Sequence, residues 1–421
     1  MTTQILIILG VMVAAYVAAK AAKLPVELGI FAAAAAGGLA GAFVATPPIG
    51  ELGRHLVEGS ITYLDVMLVF FTATLFMTVV DRSGGVVYVV RATLRVFGRR
   101  RVPALLALMV IVLIPGALTG AGSVSLLVVG APVAMALGRL GIGPKRVAAI
   151  LFIVAGLSAA APPVNIWAMI LCAGTAIPYV GFEFTLGLPV LLLGTFTMLA
   201  LGLKKEPGAA AGPAELPEPP PGMTWWRVAL PFLVFFGLVA AYRIWPFATP
   251  IFGLALEFVA AAAAALFLSP RRIDVLPLAR DTVKRLLPLL ATTVVVGMLQ
   301  QIMTATGVRG LLSFAAISTP LVVLFLLLPV IIPFSEGVLT YGAAAILGIP
   351  LIWLLDSMGY HATVVIAGLS LLWPLGDGLP PTALIGRLST MVSGYKGPYR
   401  DFLKATWLPW LVITAAAMAM I

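Results

Sequence analysis

From residue 5 to residue 421 one apolar run follows another, with only short polar loops between them. Hydrocarbon offers no water to a backbone N–H or C=O, so such a chain must close its hydrogen bonds within each segment. Runs of about 20 residues match what an α-helix needs to cross a bilayer. Of the 421 residues 62% are hydrophobic and 10% are charged, and the mean hydropathy is +1.12; soluble domains are roughly a quarter charged. The chain reads as an all-α, multi-pass membrane protein. Residues 5–19 lack the basic start and cleavage pattern of a signal peptide, so a retained span is expected there.

The formal net charge of +10 is expected to sit in short loops: Lys20 and Lys23; Arg91, Arg95 and Arg99 to Arg101; Arg139, Lys145 and Arg146; Lys204 and Lys205; Arg271, Arg272, Arg280, Lys284 and Arg285; Lys396, Arg400 and Lys404. Loops of this kind mark the cytoplasmic side, and their placement argues against a nucleic-acid partner. With every cluster inside, both termini are expected outside, in the inner membrane of a prokaryotic cell. A single cysteine, Cys172, and two distant histidines, His55 and His361, offer no disulfide, thiolate cluster or histidine metal site. No nucleophile–histidine pair at membrane depth and no cofactor motif is present, which leaves an enzyme or a passive channel as the less supported class.

Spans are expected near 4–19, 27–45, 62–80, 147–176, 184–203, 225–242, 250–268, 287–303, 362–392 and 405–421. Two of them, 147–176 and 362–392, exceed a simple crossing and carry Pro-Pro near their middles, the signature of broken helices. Two further apolar stretches, 103–138 and 319–355, have polar, glycine-rich centres, "PGALTGAGSVS" and "PFSEGVLTYG". Each is either two crossings or one re-entrant hairpin. Basic residues flank both ends of the first, which fits either; the small, polar tip at mid-depth points to a re-entrant hairpin whose tip protein or a water-filled cavity must cover. Residues 204–223, rich in Pro, Ala and Glu, read as a cytoplasmic linker.

Shifting the first half by 218 positions sets Pro115 on Pro333, Gly130 on Gly348, Pro132 on Pro350, Gly141 on Gly359, and Pro162-Pro163 on Pro380-Pro381. "DRSGG" at 81–85 matches "TATGV" at 304–308 at a slightly different shift. Prolines and glycines fix backbone geometry, so their agreement predicts a shared shape. Cations flank the first copy, whereas Asp356 and His361 flank the second, which predicts opposite orientation: an inverted-topology repeat with binding where the broken helices meet. The expected organisation is scaffold helices in 1–61, a first repeat in 62–203, the linker, scaffold helices in 224–286, and a second repeat in 287–421.

A Pro-Pro break leaves bare carbonyls at one half-helix end and free amides at the other. Carbonyls suit a cation and amides an anion. Pro162 and Pro380 are therefore candidate cation ligands. Thr119, Gly120, Ser123 and Ser125 at the first tip, with Asn165 past the first break, supply hydroxyl, amide and carbonyl oxygens of the hard kind sodium prefers. The competing reading is small-residue packing between helices. Ser335, Glu336 and Asp377 form the second cation set. A carboxylate at this depth costs roughly 2.5–3.5 kcal/mol on insertion scales, so it is expected to be paired or functional. Ser123, Thr340, Pro381, Thr382 and Arg387 are the candidate substrate contacts; Arg387 could instead snorkel to the cytoplasmic interface.

These residues resemble those of a known family, the large permease subunit of TRAP transporters in the ion transporter superfamily. "GAGSVSLLVVGAP" and "AAAPPVNIW" are similar to its first tip and break, and "GDGLPPTALIG" to its second; Glu336 in "SEG" stands where the family usually has an aspartate. After the first Pro-Pro, Val164-Asn165 replaces the family's usual serine. The more distant divalent anion/sodium symporters share the plan, but their paired Ser-Asn-Thr tips are absent. The resemblance implies an elevator-type fold and sodium as coupling ion, with no other cofactor. It also implies a separate small membrane subunit, an extracytoplasmic solute-binding protein, and an organic acid substrate such as a C4-dicarboxylate, sialic acid or keto acid. A stand-alone sodium- or proton-coupled carboxylate symporter is the alternative.

Overall fold

The computed structural model describes residues 2–44, 48–204, 217–245, 253–380 and 382–421. Most of the linker, and Pro381, fall outside the described residues. The chain opens with α1 (Thr2–Ala21), α2 (Val26–Val44) and α3 (Ile49–Ile61). Next come α4 (Leu64–Arg82) and the short amphipathic α5 (Gly85–Phe97). The first hairpin is α6 (Arg101–Thr119), α7 (Gly122–Ser125), a π-helical turn (Leu126–Gly130) and α8 (Ala131–Arg139). The first broken helix is α9 (Pro144–Ala160) and α10 (Ile166–Thr175), followed by α11 (Phe182–Thr185) and α12 (Gly187–Gly202). After the linker stand α13 (Trp225–Ile244), α14 (Gly253–Leu268), the long α15 (Val275–Ala305) and α16 (Val308–Ser318). The second hairpin is α17 (Leu321–Leu339), a π-helical turn (Ala344–Gly348) and α18 (Ile349–Ser357). The second broken helix is α19 (Ala362–Gly376) and α20 (Leu384–Val392), and α21 (Tyr399–Ala405) and α22 (Trp407–Met420) close the chain. Among the described residues, nine segments are long and apolar enough to cross a membrane.

The repeat is written in the helix boundaries. The π-helical turn and α8 recur 218 residues later as the second π-helical turn and α18. Each π turn precedes a proline, Pro132 or Pro350, that lacks an N–H and would clash with the carbonyl four residues back; the wider turn makes room for it. Gly84 and Gly307, with φ of 87° and 77°, begin α5 and α16 in the same way, as the match of 81–85 with 304–308 predicts.

At the hairpin tips the register differs from the ungapped alignment. The α6 and α17 boundaries correspond at a shift of 220. Counted from the helix ends, Pro115 lies four residues before Thr119 while Pro333 lies six before Leu339, so these prolines are not equivalent. The extra turn α7 at the first tip absorbs the two residues. A second difference concerns the junction expected at 286/287: α15 runs through it unbroken. Its backbone meets that of α3 where Gly59 faces Gly297; a Cβ on Gly59 would lie 2.6 Å from the Met298 Cα, so only glycine permits this crossing.

The two copies run in opposite directions. The Arg101 guanidinium donates to the carbonyls of Leu140 and, at 2.6 Å, Gly202, so the starts of α6 and α9 and the end of α12 share one face. Gly181, on the far side of α10, lies against Thr363 at the start of α19. Hence α9 starts at the arginine-rich face and α19 at the opposite one. Val147–Ala160 and Val365–Gly376 are buried throughout, as expected of helices that are hydrophobic all round. The second half of each broken helix packs on the other repeat: α10 on the second π turn and α18, α20 on α7 and the first π turn.

Candidate functional site

At the first break α9 ends at Ala160, and the chain passes through the cis Pro162–Pro163 peptide before α10 begins. Asn165 closes both ends. Its Oδ1 accepts from the Ala168 N–H at 3.0 Å as the N-cap of α10, and its Nδ2 donates to the Ala160 carbonyl at 2.9 Å. The Tyr179 hydroxyl accepts from the Asn165 N–H at 3.1 Å and donates to the Pro163 carbonyl at 3.1 Å. Val164 N–H reaches across to the Ala117 carbonyl at 3.0 Å, strapping hairpin to break. Gly120 (φ 67°) ends α6, and a Cβ there would sit 2.7 Å from the Ile166 side chain.

The other residues expected at this site turn inward. Thr119 donates to the Pro115 carbonyl at 2.7 Å, and Ser125 donates to the Val112 carbonyl across the hairpin. Ser123 is half-buried on α7, and Pro162 is half-buried at the break. The structure brings Gly120, Pro162 and Asn165 together, with the polar groups of Thr119, Ser125 and Asn165 already engaged in holding the backbone.

The second break is built differently. Glu336, fully buried near the end of α17, accepts from the Trp167 indole N–H at 3.0 Å through Oε2. Its other oxygen, Oε1, is buried with no hydrogen-bond partner among the described residues. Trp167 comes from α10 of the opposite repeat and lies 5.2 Å, centroid to centroid, from Tyr341 in the second tip. Gly376, the last residue of α19, faces the stem of Glu336: a Cβ there would be 2.7 Å from the Glu336 Cβ. Asp377 follows directly and is 4% exposed. Both N–H and hydroxyl of Thr382 donate to the Gly337 carbonyl, at 3.2 and 2.8 Å. This mirrors the Val164–Ala117 bond of the first repeat.

Ser335 donates to Ile332 at 2.7 Å within its own helix, and Thr340 closes onto the Leu339 carbonyl with φ of 52°. Pro380 is exposed at the break, and Arg387 is exposed on α20. Two contributors escape a sequence reading. Tyr399 donates to the Gly378 carbonyl at 2.8 Å. Trp167 carried one signal: a buried indole N–H at membrane depth needs an acceptor.

No protein-family model and no curated protein matches the chain. Among solved structures it is similar to the Alcanivorax borkumensis YdaH transporter, whose crystal structure is described as revealing an unusual topology. The two are 14% identical, with 88% of this chain and 87% of that chain covered and a TM-score of 0.50. At that identity the likeness speaks to the fold alone.

Proposed function

We propose that this chain is a sodium-coupled secondary transporter that imports an organic acid, acting as the large membrane subunit of a TRAP-type complex by an elevator motion. The observation that carries the reading is Glu336 Oε1, a buried carboxylate oxygen without a partner among the described residues, beside the second helix break. A buried anion in a low-dielectric site is tolerable when a cation completes it. Glu336 and Asp377 would hold that cation, and the carbonyl end of α19 would add to it. Among the described residues no set of three or more His, Cys, Asp or Glu forms a metal centre, which suits a weakly held monovalent ion. Two acids around one sodium leave a negative site. An anionic substrate therefore requires a further cation, and the cycle is electrogenic. Thr382, Thr340, Ser123 and Arg387 are the substrate contacts in this reading. The arginine-rich face is cytoplasmic, the termini extracytoplasmic, and the small subunit and binding protein are the partners.

A carboxyl pair of this kind also takes up protons. That favours, as a second reading, a stand-alone sodium- or proton-coupled carboxylate symporter. Purified protein in proteoliposomes, given labelled organic acids, separates the two. Uptake driven by a sodium gradient at equal pH, with dependence on the binding protein, supports the first. Uptake by the chain alone, or driven by a pH gradient at equal sodium, supports the second. Glu336→Gln or Asp377→Asn with unchanged uptake and sodium dependence would remove the second break from the ion site under either.

A further inference from the structure

Glu257 is the only acidic residue of α14, in the stretch "GLALEFVAAAAAALFL". It is 5% exposed, and its Oε2 is buried without a hydrogen-bond partner among the described residues. A carboxylate placed this way in a membrane helix needs a counter-charge or a function. It lines a cavity of about 590 Å³ between α13–α14 and the first helix break. Pro163 and Tyr179 form the wall on the break side, and Val239 and Tyr242 of α13 the wall opposite. Tyr179 stacks on Phe182 at 5.0 Å. Glu183 lies at the rim, and the cavity sits at the end of the molecule away from Arg101.

We propose that this cavity is a binding site for a small organic ammonium group, with Glu257 as its counter-charge and the rings of Tyr179 and Tyr242 as its walls. The volume falls in the range of small-molecule sites, roughly 300–1,000 Å³. Aromatic faces beside a carboxylate are the chemistry that recognises alkylammonium ions. A bare sodium ion fits less well: it needs several oxygens closing tightly around it, and here they are spread over a wide, largely apolar cavity. An anion is disfavoured by Glu257 itself.

The site also differs in kind from the one at the second break. Glu257 belongs to α14, which packs on α4 and α13, while Tyr179 holds the Asn165 and Pro163 backbone. An occupant therefore touches both α14 and the first helix break. On the elevator reading, which this consequence rests on, it is held only while the first helix break stays at this height beside α14, so it acts as a brake and not as cargo.

The test is thermal unfolding of the whole chain in nanodiscs, titrated with tetraethylammonium chloride against sodium chloride at matched ionic strength. A saturable rise in unfolding temperature with tetraethylammonium is expected. Glu257→Gln should abolish it, and Tyr242→Leu should weaken half-saturation about tenfold, the equivalent of one lost cation–π wall. An equal rise with sodium chloride, no saturable rise, or an undiminished rise in Glu257→Gln overturns the proposal. Should Glu257→Gln not fold, Glu257→Asp, with the carboxylate drawn back, must still weaken half-saturation; unchanged binding overturns the proposal. Glu336→Gln is expected to keep the ammonium response while losing sodium coupling, so this site and the transport reading fail separately.

Discussion

Asn165 shows how one side chain can serve two helix ends. Its carboxamide accepts from Ala168 and donates to Ala160, so at the break it acts first as a cap. Asn165→Ala is expected to cost about 1 kcal/mol for the lost cap and a further amount of about 1–3 kcal/mol for polar groups left unpaired. Thermal unfolding measures this, and Asn165→Asp, which keeps the acceptor, should recover part of it. A sodium-dependence shift in Asn165→Ala without loss of stability would instead place the carboxamide on the ion. Trp167 is the complementary case. Trp167→Phe removes the sole described hydrogen-bond donor to Glu336, leaving both carboxylate oxygens without one. The expected result is a protein that sodium stabilises more strongly than it does the parent, read as a larger sodium-induced rise in unfolding temperature. An equal rise would show that the indole does not compete with a cation for this carboxylate.

At the scale of elements, the hairpins meet the broken helices through glycine, but on opposite partners. In the first repeat Gly116 of the hairpin receives Ser158 of α9; in the second, Gly376 of α19 receives Glu336 of the hairpin. The contact leaves no room for a Cβ in either, and only one copy carries a charge. A Cβ on Gly376 would collide with the Pro333 carbonyl as well as the Glu336 stem. Gly376→Ala is therefore expected to push the second hairpin off the break and to cost about 1–3 kcal/mol in overpacking. Gly237, mid-way along α13 with nothing within 4 Å of an added Cβ, is the control. There alanine should stabilise by up to about 1 kcal/mol. Similar unfolding temperatures for the two variants would mean that the second hairpin yields freely at this contact.

For the whole molecule, the proposed orientation rests on where the cations gather. Arg101, Arg146 and Lys204 converge on one face, Arg101 and Arg146 both donating to the Lys204 carbonyl at 3.4 Å. Asp356 lies exposed at the far end of the second hairpin. In a Cys172→Ala background, Asp356→Cys should react with an impermeant maleimide in intact cells, while Lys204→Cys should react only after permeabilisation. The reverse pattern would turn the molecule over in the membrane, and the proposed direction of import with it.

The sequence alone determined the class, the breaks and the repeat. Apolar runs leave the backbone no choice but helix, and Pro162-Pro163 and Pro380-Pro381 stop a helix wherever they stand. Gly84 and Gly307 turn the chain through the same left-handed step. These are local constraints, legible residue by residue. The candidate site was legible only as an address. Its residues were found at the tips and breaks, but their partners come from elsewhere: Trp167 reaches Glu336 across 169 positions. The two-residue offset at the tips is set by α7, a single turn that no proline or glycine in the ungapped alignment betrays. Glu257 reads in sequence as an isolated acid in an alanine-rich helix. What it faces depends on how two oppositely directed repeats and two scaffold helices close around one another, and packing between distant segments is decided by tertiary structure.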